Sequence, residues 1–129
     1  MSSHEKVTLE PATSSSRRAR QAVSGWLREL GHPEITEDAS LVVAELVANA
    51  IKHGGARIEL DLTASHGVIR IAVFDSDNTP RHLAPHPPNP TGQHGRGLAM
   101  IDQLVNRWGR EDATDGKTVW AEIDLDPSR

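Results

Sequence analysis

Residues 45–53 read ELVANAIKH, which sets Glu45, Asn49 and His53 at i, i+4 and i+8 within an otherwise apolar stretch. That spacing draws a polar line down one helix. With Leu41 as origin and about 100° per residue, Val42, Leu46, Ala50, Val43, Val47 and Ile51 fan across one arc, and Glu45 and Asn49 fall on its edge. The two polar residues therefore border a core and do not project into bulk water. Asparagine is a poor interior helix residue and a carboxylate at a core margin loses hydration, so both need a compensating partner. A cation held jointly with phosphate oxygens would be one, because hard oxygen ligands on one helix face suit Mg²⁺.

Upstream of this helix, KVTLE reads as a short strand, and the Ser14-Ser15-Ser16 cluster is expected to cap a helix carrying Ala19, Val23, Trp26, Leu27 and Leu30. Gly31 and Pro33 end that helix. Thr36 is then expected to cap the ELVANAIKH helix, with Glu37 and Asp38 in its first turn and Gly54-Gly55 closing it after His53. Downstream, Ile58, Leu60 and Leu62 alternate with Arg57, Glu59 and Asp61. A Ser65-His66-Gly67 turn leads into VIRIAVFD, ending on Asp75, so the two runs predict an antiparallel hairpin. From Asn78 to His94 the chain holds Pro80, Pro85, Pro87, Pro88 and Pro90 with no helical or alternating period, which marks a long loop suited to a lid. Gly95-Arg96-Gly97 opens a third helix expected to carry Leu98, Ile101, Leu104, Val105 and Trp108. Asp115-Gly116 turns into a final strand, KTVWAEIDL.

These elements predict an α+β fold: a two-layer α/β sandwich with a mixed, mostly antiparallel sheet and about three helices on one face. Arg57, Glu59, Asp61 and Arg70 suit a sheet whose other face is wet. A chain of 129 residues is expected to form a single domain spanning 1–129. Fourteen basic against eighteen acidic residues, with no block of like charge, argue against nucleic-acid or membrane-surface binding. With no long apolar run and no basic-then-apolar leader in MSSHEKVTLE, the expected location is cytoplasmic. The absence of cysteine excludes disulfides and thiolate metal sites.

Three pieces converge on one chemistry: the helix with Glu45 and Asn49, the strand ending on Asp75, and the glycine-bounded helix start at Gly95-Arg96-Gly97. Free amides and a positive dipole end at that start make an anion site, and glycines let a phosphate approach the backbone. Asp75 at a strand end is able to accept from an exocyclic amine. In this order the residues resemble the GHKL-type ATP-binding domain, of Bergerat fold, shared by gyrase-type ATPases, heat-shock chaperones, histidine kinases and mismatch-repair ATPases. They look most like its branch of anti-sigma factors that double as serine/threonine protein kinases. ELVANAIKH resembles the N box of that branch, VFDSDNTP its first glycine box and GQHGRGLAMI its second.

The resemblance implies ATP and Mg²⁺ as cofactors and extends from the first helix to VWAEI. It implies that Asn49 ligates Mg²⁺, that Glu45 is the general base on the protein substrate's hydroxyl, and that Asp75 binds the adenine amino group. Gly95, Arg96, Gly97 and Leu98 would form the phosphate-binding helix start, with positive charge from Arg96 or Arg81. The implied partners are a sigma factor and a small anti-sigma antagonist, with homodimerisation expected. One departure stands out: Asp77 and Thr79 occupy the positions where the first box usually carries glycines. The close backbone approach of glycine is lost there and a negative charge is added near the nucleotide.

Plainer readings stand beside these. His53 serves equally well at the end of its helix, where the dipole favours its charge. Asp75 suits an ordinary turn, and Gly95 and Gly97 a tight entry into a helix. Gly116-Lys117-Thr118 has Glu111 where a P-loop needs its first glycine and precedes a strand. Gly92, Gly95 and Gly97 have the wrong spacing for a dinucleotide site. His82, His86 and His94 lie among prolines without ligand spacing, Trp26 and Trp108 fit a core, and Arg17, Arg18 and Arg20 a solvated helix face. The competing function is a nucleotide-dependent module that binds a sigma factor or another partner without catalysis.

Overall fold

The computed structural model describes residues 3–52, 57–76 and 95–125, with side chains from Ala99 onward in the last stretch. The order of elements is β1 (Ser3–Leu9), α1 (Ser14–Leu30), a 3₁₀ turn (Pro33–Ile35), α2 (Thr36–Lys52), β2 (Arg57–Ser65), β3 (Val68–Ser76), α3 (Gly95–Leu104), β4 (Arg107–Ala113) and β5 (Gly116–Asp124). The strands form one sheet in the order β1-β2-β3-β5-β4, and every pairing is antiparallel.

Period-two alternation sorts the sheet into two faces. Ile58, Leu60, Leu62 and Ala64 of β2, with Ile69, Ile71 and Val73 of β3, are buried beneath the helices. On the other face Arg57 is exposed and Glu59, Asp61 and Arg70 are partly so, the wet face the sequence predicts. The Arg70 guanidinium lies 4.6 Å from the centre of the Trp120 ring on that face. From the helical layer, Ala19, Val23, Trp26 and Leu27 of α1 and Ala39, Val42, Val43, Leu46, Val47 and Ala50 of α2 enter the same core. The arc read from ELVANAIKH is thus the buried face of α2. Leu41, next to that arc in sequence, is 45% exposed.

Helix ends differ from expectation in instructive ways. The serine cluster does not cap α1: Thr13 holds the N-cap position without a side-chain bond, and the Ser15 hydroxyl donates to the Glu10 carbonyl. Thr36 does not cap α2 either. It already has helical φ and ψ at the end of the 3₁₀ turn, so its Oγ1 is buried with no partner among the described residues. Gly31 does end α1, in the left-handed region at φ 84°, where its N–H and that of His32 donate to the Arg28 and Leu27 carbonyls. Between β2 and β3, His66 (φ 54°) and Gly67 (φ 76°) make a two-residue turn with both central residues at positive φ.

The third helix is shorter than its apolar spacing predicts. It ends at Leu104, and Trp108 belongs to β4, an edge strand absent from the sequence reading. Asn106 breaks the helix because β5 recruits it: its N–H donates to the Glu122 carbonyl at 2.9 Å, and its Oδ1 accepts from the Asp124 N–H at 2.8 Å. Trp108 turns toward the core, and its Nε1 donates to Asp102 Oδ1 at 2.9 Å, spanning the helix–strand junction. Arg107 Nε donates to Glu122 Oε1 at 2.8 Å, and its guanidinium also bonds Asp124. The Arg107 bond, reinforced by Arg70, holds the Glu122 carboxyl below its ordinary range against the opposing effect of partial burial. No helix among the described residues is long and apolar enough to cross a membrane.

Candidate functional site

The core face of the sheet ends in a polar row. Along β3 the inward positions run Ile69, Ile71, Val73 and then Asp75; along β5 they run Ile123, Ala121, Val119 and then Lys117. Asp75 and Lys117 are register partners, and Ile58 completes the row on β2. The Lys117 ammonium donates to Asp75 Oδ2 at 2.7 Å. Asp75 is 1% exposed and Lys117 7%, so this ion pair sits inside the protein.

Burying two charges is costly unless further bonds satisfy their remaining donors and acceptors. Here that satisfaction is incomplete: Asp75 Oδ1 is buried with no hydrogen-bond partner among the described residues. An orphaned buried acceptor costs about 1–3 kcal/mol, so any donor that reaches Oδ1 is favoured. A ligand amine is a donor of the right kind.

A short connection ties the end of α2 to the same end of the sheet. The chain leaves α2 at Lys52 and re-enters the sheet at Arg57, which pairs with Ser76 beside Asp75. The five peptide steps between those residues reach at most about 18 Å, so the end of α2 is tethered within that distance of the sheet end where Arg57 pairs with Ser76. Asn49 belongs to the last turn of α2 and Glu45 precedes it by one more; both are half-buried, at the margin predicted for them. α2 packs on β2, β3, β5 and α3. Gly116 opens β5 against this row so closely that a Cβ there would stand 2.1 Å from the Asp75 carbonyl oxygen.

Gly95, Arg96, Gly97 and Leu98 form the first turn of α3; their side chains lie outside the described residues. So do His53, Gly54-Gly55, Asp77, Thr79, Arg81, Gly92, His82, His86, His94 and the expected lid at 78–94. The structure places Asp75 in a buried row at the end of the sheet and shows that α3 begins at the second glycine-rich box; the only side-chain partner it gives Asp75 among the described residues is Lys117. Lys117 escaped the sequence reading, although a signal was present: in KTVWAEIDL, counting back from the inward Ile123 by twos lands on a lysine. The Gly-Lys-Thr stretch belongs to a strand, as its rejection as a P-loop requires.

For Mg²⁺, the chemistry of the Asn49 side chain fits, while no group of three or more His, Asp or Glu side chains gathers among the described residues. The Asn49 amide oxygen is a hard ligand on a half-buried helix face, and Mg²⁺ is commonly held by one or two protein ligands together with phosphate oxygens and water.

Residues 9–123 match the family described as the histidine kinase-like ATPase domain. The chain belongs to that family. An uncharacterised protein of Streptomyces coelicolor is 34% identical over 84 residues, which cover 62% of this chain and 79% of that protein. Among solved structures, the crystal structure of the RsbU and RsbW domains of Rv1364c from Mycobacterium tuberculosis matches with a TM-score of 0.72 at 24% identity over 95% of this chain. At that identity the likeness is one of fold, and this chain spans 32% of that longer one. The five-stranded antiparallel sheet under three helices is thus the histidine kinase-like ATPase fold.

Proposed function

We propose that this histidine kinase-like ATPase domain is an anti-sigma regulatory factor that binds ATP with Mg²⁺ and phosphorylates a serine or threonine of a small anti-sigma antagonist. The observation that supports ATP binding best is the buried Asp75 carboxylate at the sheet end, one oxygen held by Lys117 and the other without a partner among the described residues. The similarity in fold to a structure containing an RsbW domain supports the anti-sigma reading. A sigma factor is the partner sequestered, and a homodimer is the assembly proposed.

In this reading Asp75 Oδ1 accepts from the amino group of adenine. Asn49 holds Mg²⁺, and the backbone N–H groups of Gly95, Arg96, Gly97 and Leu98 at the α3 start bind phosphate oxygens. Mg²⁺ supplies neutralisation of charge on the phosphates. Glu45 takes the proton of the antagonist's hydroxyl as that oxygen bonds to the γ-phosphorus and the bond from phosphorus to the β–γ bridging oxygen breaks, releasing ADP. Such a transfer depends on positioning and charge stabilisation, so one carboxylate and one helix N-terminus are adequate protein machinery.

The alternative, a binding module without turnover, draws on Asp77 and Thr79 in the first glycine box. The two separate on Glu45→Ala. Incubated with MgATP and an antagonist, the wild type yields phosphoserine or phosphothreonine, and the variant loses at least about 10²-fold in rate while keeping its ATP affinity. Partner binding without phosphoryl transfer by the wild type establishes the module instead.

A further inference from the structure

The buried row at the end of the sheet contains a cation that ATP binding alone does not call for. Lys117 sits at an inward position of β5, directly opposite Asp75, and spends a buried ammonium on Asp75 Oδ2. Desolvating an ammonium is expensive, and an apolar residue would fill that strand position without the cost. Its effect is on the chemistry that Asp75 presents. A carboxylate bonded to an ammonium is an acceptor at both oxygens, and with Oδ2 taken only Oδ1 remains.

We infer that Lys117 is a specificity-determining residue of the nucleotide site: by occupying Asp75 Oδ2 it fixes Oδ1 as an acceptor-only group, so the site selects a base carrying an exocyclic amine over one carrying a carbonyl there. The inference rests on the proposed ATP site. An amine donates to Oδ1 and satisfies it. A carbonyl would place a second acceptor against it, leaving two buried acceptors without a proton between them. Without Lys117, the buried carboxylate is free to rotate or to take up a proton, and as a carboxylic acid it would donate to a carbonyl. Gly116, which presses β5 onto the Asp75 carbonyl, supports the same arrangement by keeping the lysine in register.

The test compares ATP with inosine triphosphate, which has the same triphosphate and a carbonyl in place of the amine. Binding to the full chain is measured by calorimetry with Mg²⁺. The wild type is expected to prefer ATP by at least about tenfold, and Lys117→Met to bring the two affinities within about threefold of each other. Lys117→Arg, which keeps a cationic donor to the carboxylate, restores the preference. A purely structural lysine would lower both affinities together, so an unchanged preference in Lys117→Met overturns the inference and leaves the ATP site standing. A wild type that binds neither nucleotide overturns both. If Lys117→Met does not fold, Lys117→Gln takes its place: its neutral amide is able either to donate to or to accept from the Asp75 carboxyl, so the preference is expected to narrow, and a retained tenfold preference overturns the inference.

Discussion

At the scale of single residues, the site depends on how tightly β5 lies against β3. Gly116 pairs with Ser76, and an added Cβ would meet the Asp75 carbonyl oxygen at 2.1 Å and the Ser76 Cα at 2.9 Å. Both obstacles are backbone, so neither swings aside as a side chain would. Gly116→Ala therefore has to spread the strands where the Asp75–Lys117 pair is made, at an expected cost of at least about 2 kcal/mol, as other forced insertions into packed interiors show. Urea unfolding should show this as a lower midpoint with an unchanged slope. ATP affinity should fall as well, because the pair no longer sets the position of Oδ1. An unchanged midpoint would mean that β5 does not seal this end of the sheet. The same residue scale explains why the strand-end position of Asp75 was legible from sequence and its pairing with Lys117 was not: a carboxylate ending an apolar strand announces itself, whereas the lysine matters only once register places it opposite.

At the scale of elements, periodic segments were legible and their ends were not. The arc on α2 and the alternation of β2 and β3 follow from repeated burial of one face, which sequence carries directly. Strand β4 carries no such pattern: RWGREDA is mostly charged because it is a sheet edge, where charge discourages pairing with other chains. Its Trp108 also falls four residues after Leu104, so it counterfeits one more helical turn. Caps failed for a related reason, since the 3₁₀ turn delivers Thr36 already in helical geometry. The glycines of α1 offer a test with two signs. Gly31 ends the helix at φ 84°, so Gly31→Ala should cost about 1 kcal/mol for a strained left-handed residue. Gly25 lies within the helix with nothing inside 4 Å of its missing Cβ, so Gly25→Ala should stabilise by about 0.5–1 kcal/mol. Thermal or urea unfolding of the pair should move in opposite directions; a shared direction would contradict the capping role of Gly31.

For the whole molecule, stability is unevenly spread, and the unevenness bears on function. α1 and α2 bury five and six residues respectively, and β2 and β3 lie in the sheet interior, whereas among the described side chains of α3 only Ile101 is buried. Few buried contacts mean a low free energy of local opening. Amide exchange should therefore run through a cheaper opening in α3 than in β2 or β3. If the first turn of α3 holds the phosphates while Asp75 holds the base, MgATP ties α3 to β3, and any opening of α3 must first release ligand. A ligand at a hundred times its dissociation constant then opposes that opening by about 2.7 kcal/mol, which slows exchange about a hundredfold. Mass spectrometry of exchanging peptides should show this slowing across 95–104 in the wild type. With Asp75→Asn at the same free nucleotide concentration the slowing should largely vanish, because a weakened base contact lowers occupancy. If α3 without nucleotide were already as protected as β3, or if MgATP slowed the sheet and not α3, the phosphate would not be held at Gly95–Leu98, and the anion site would have to be sought on another element.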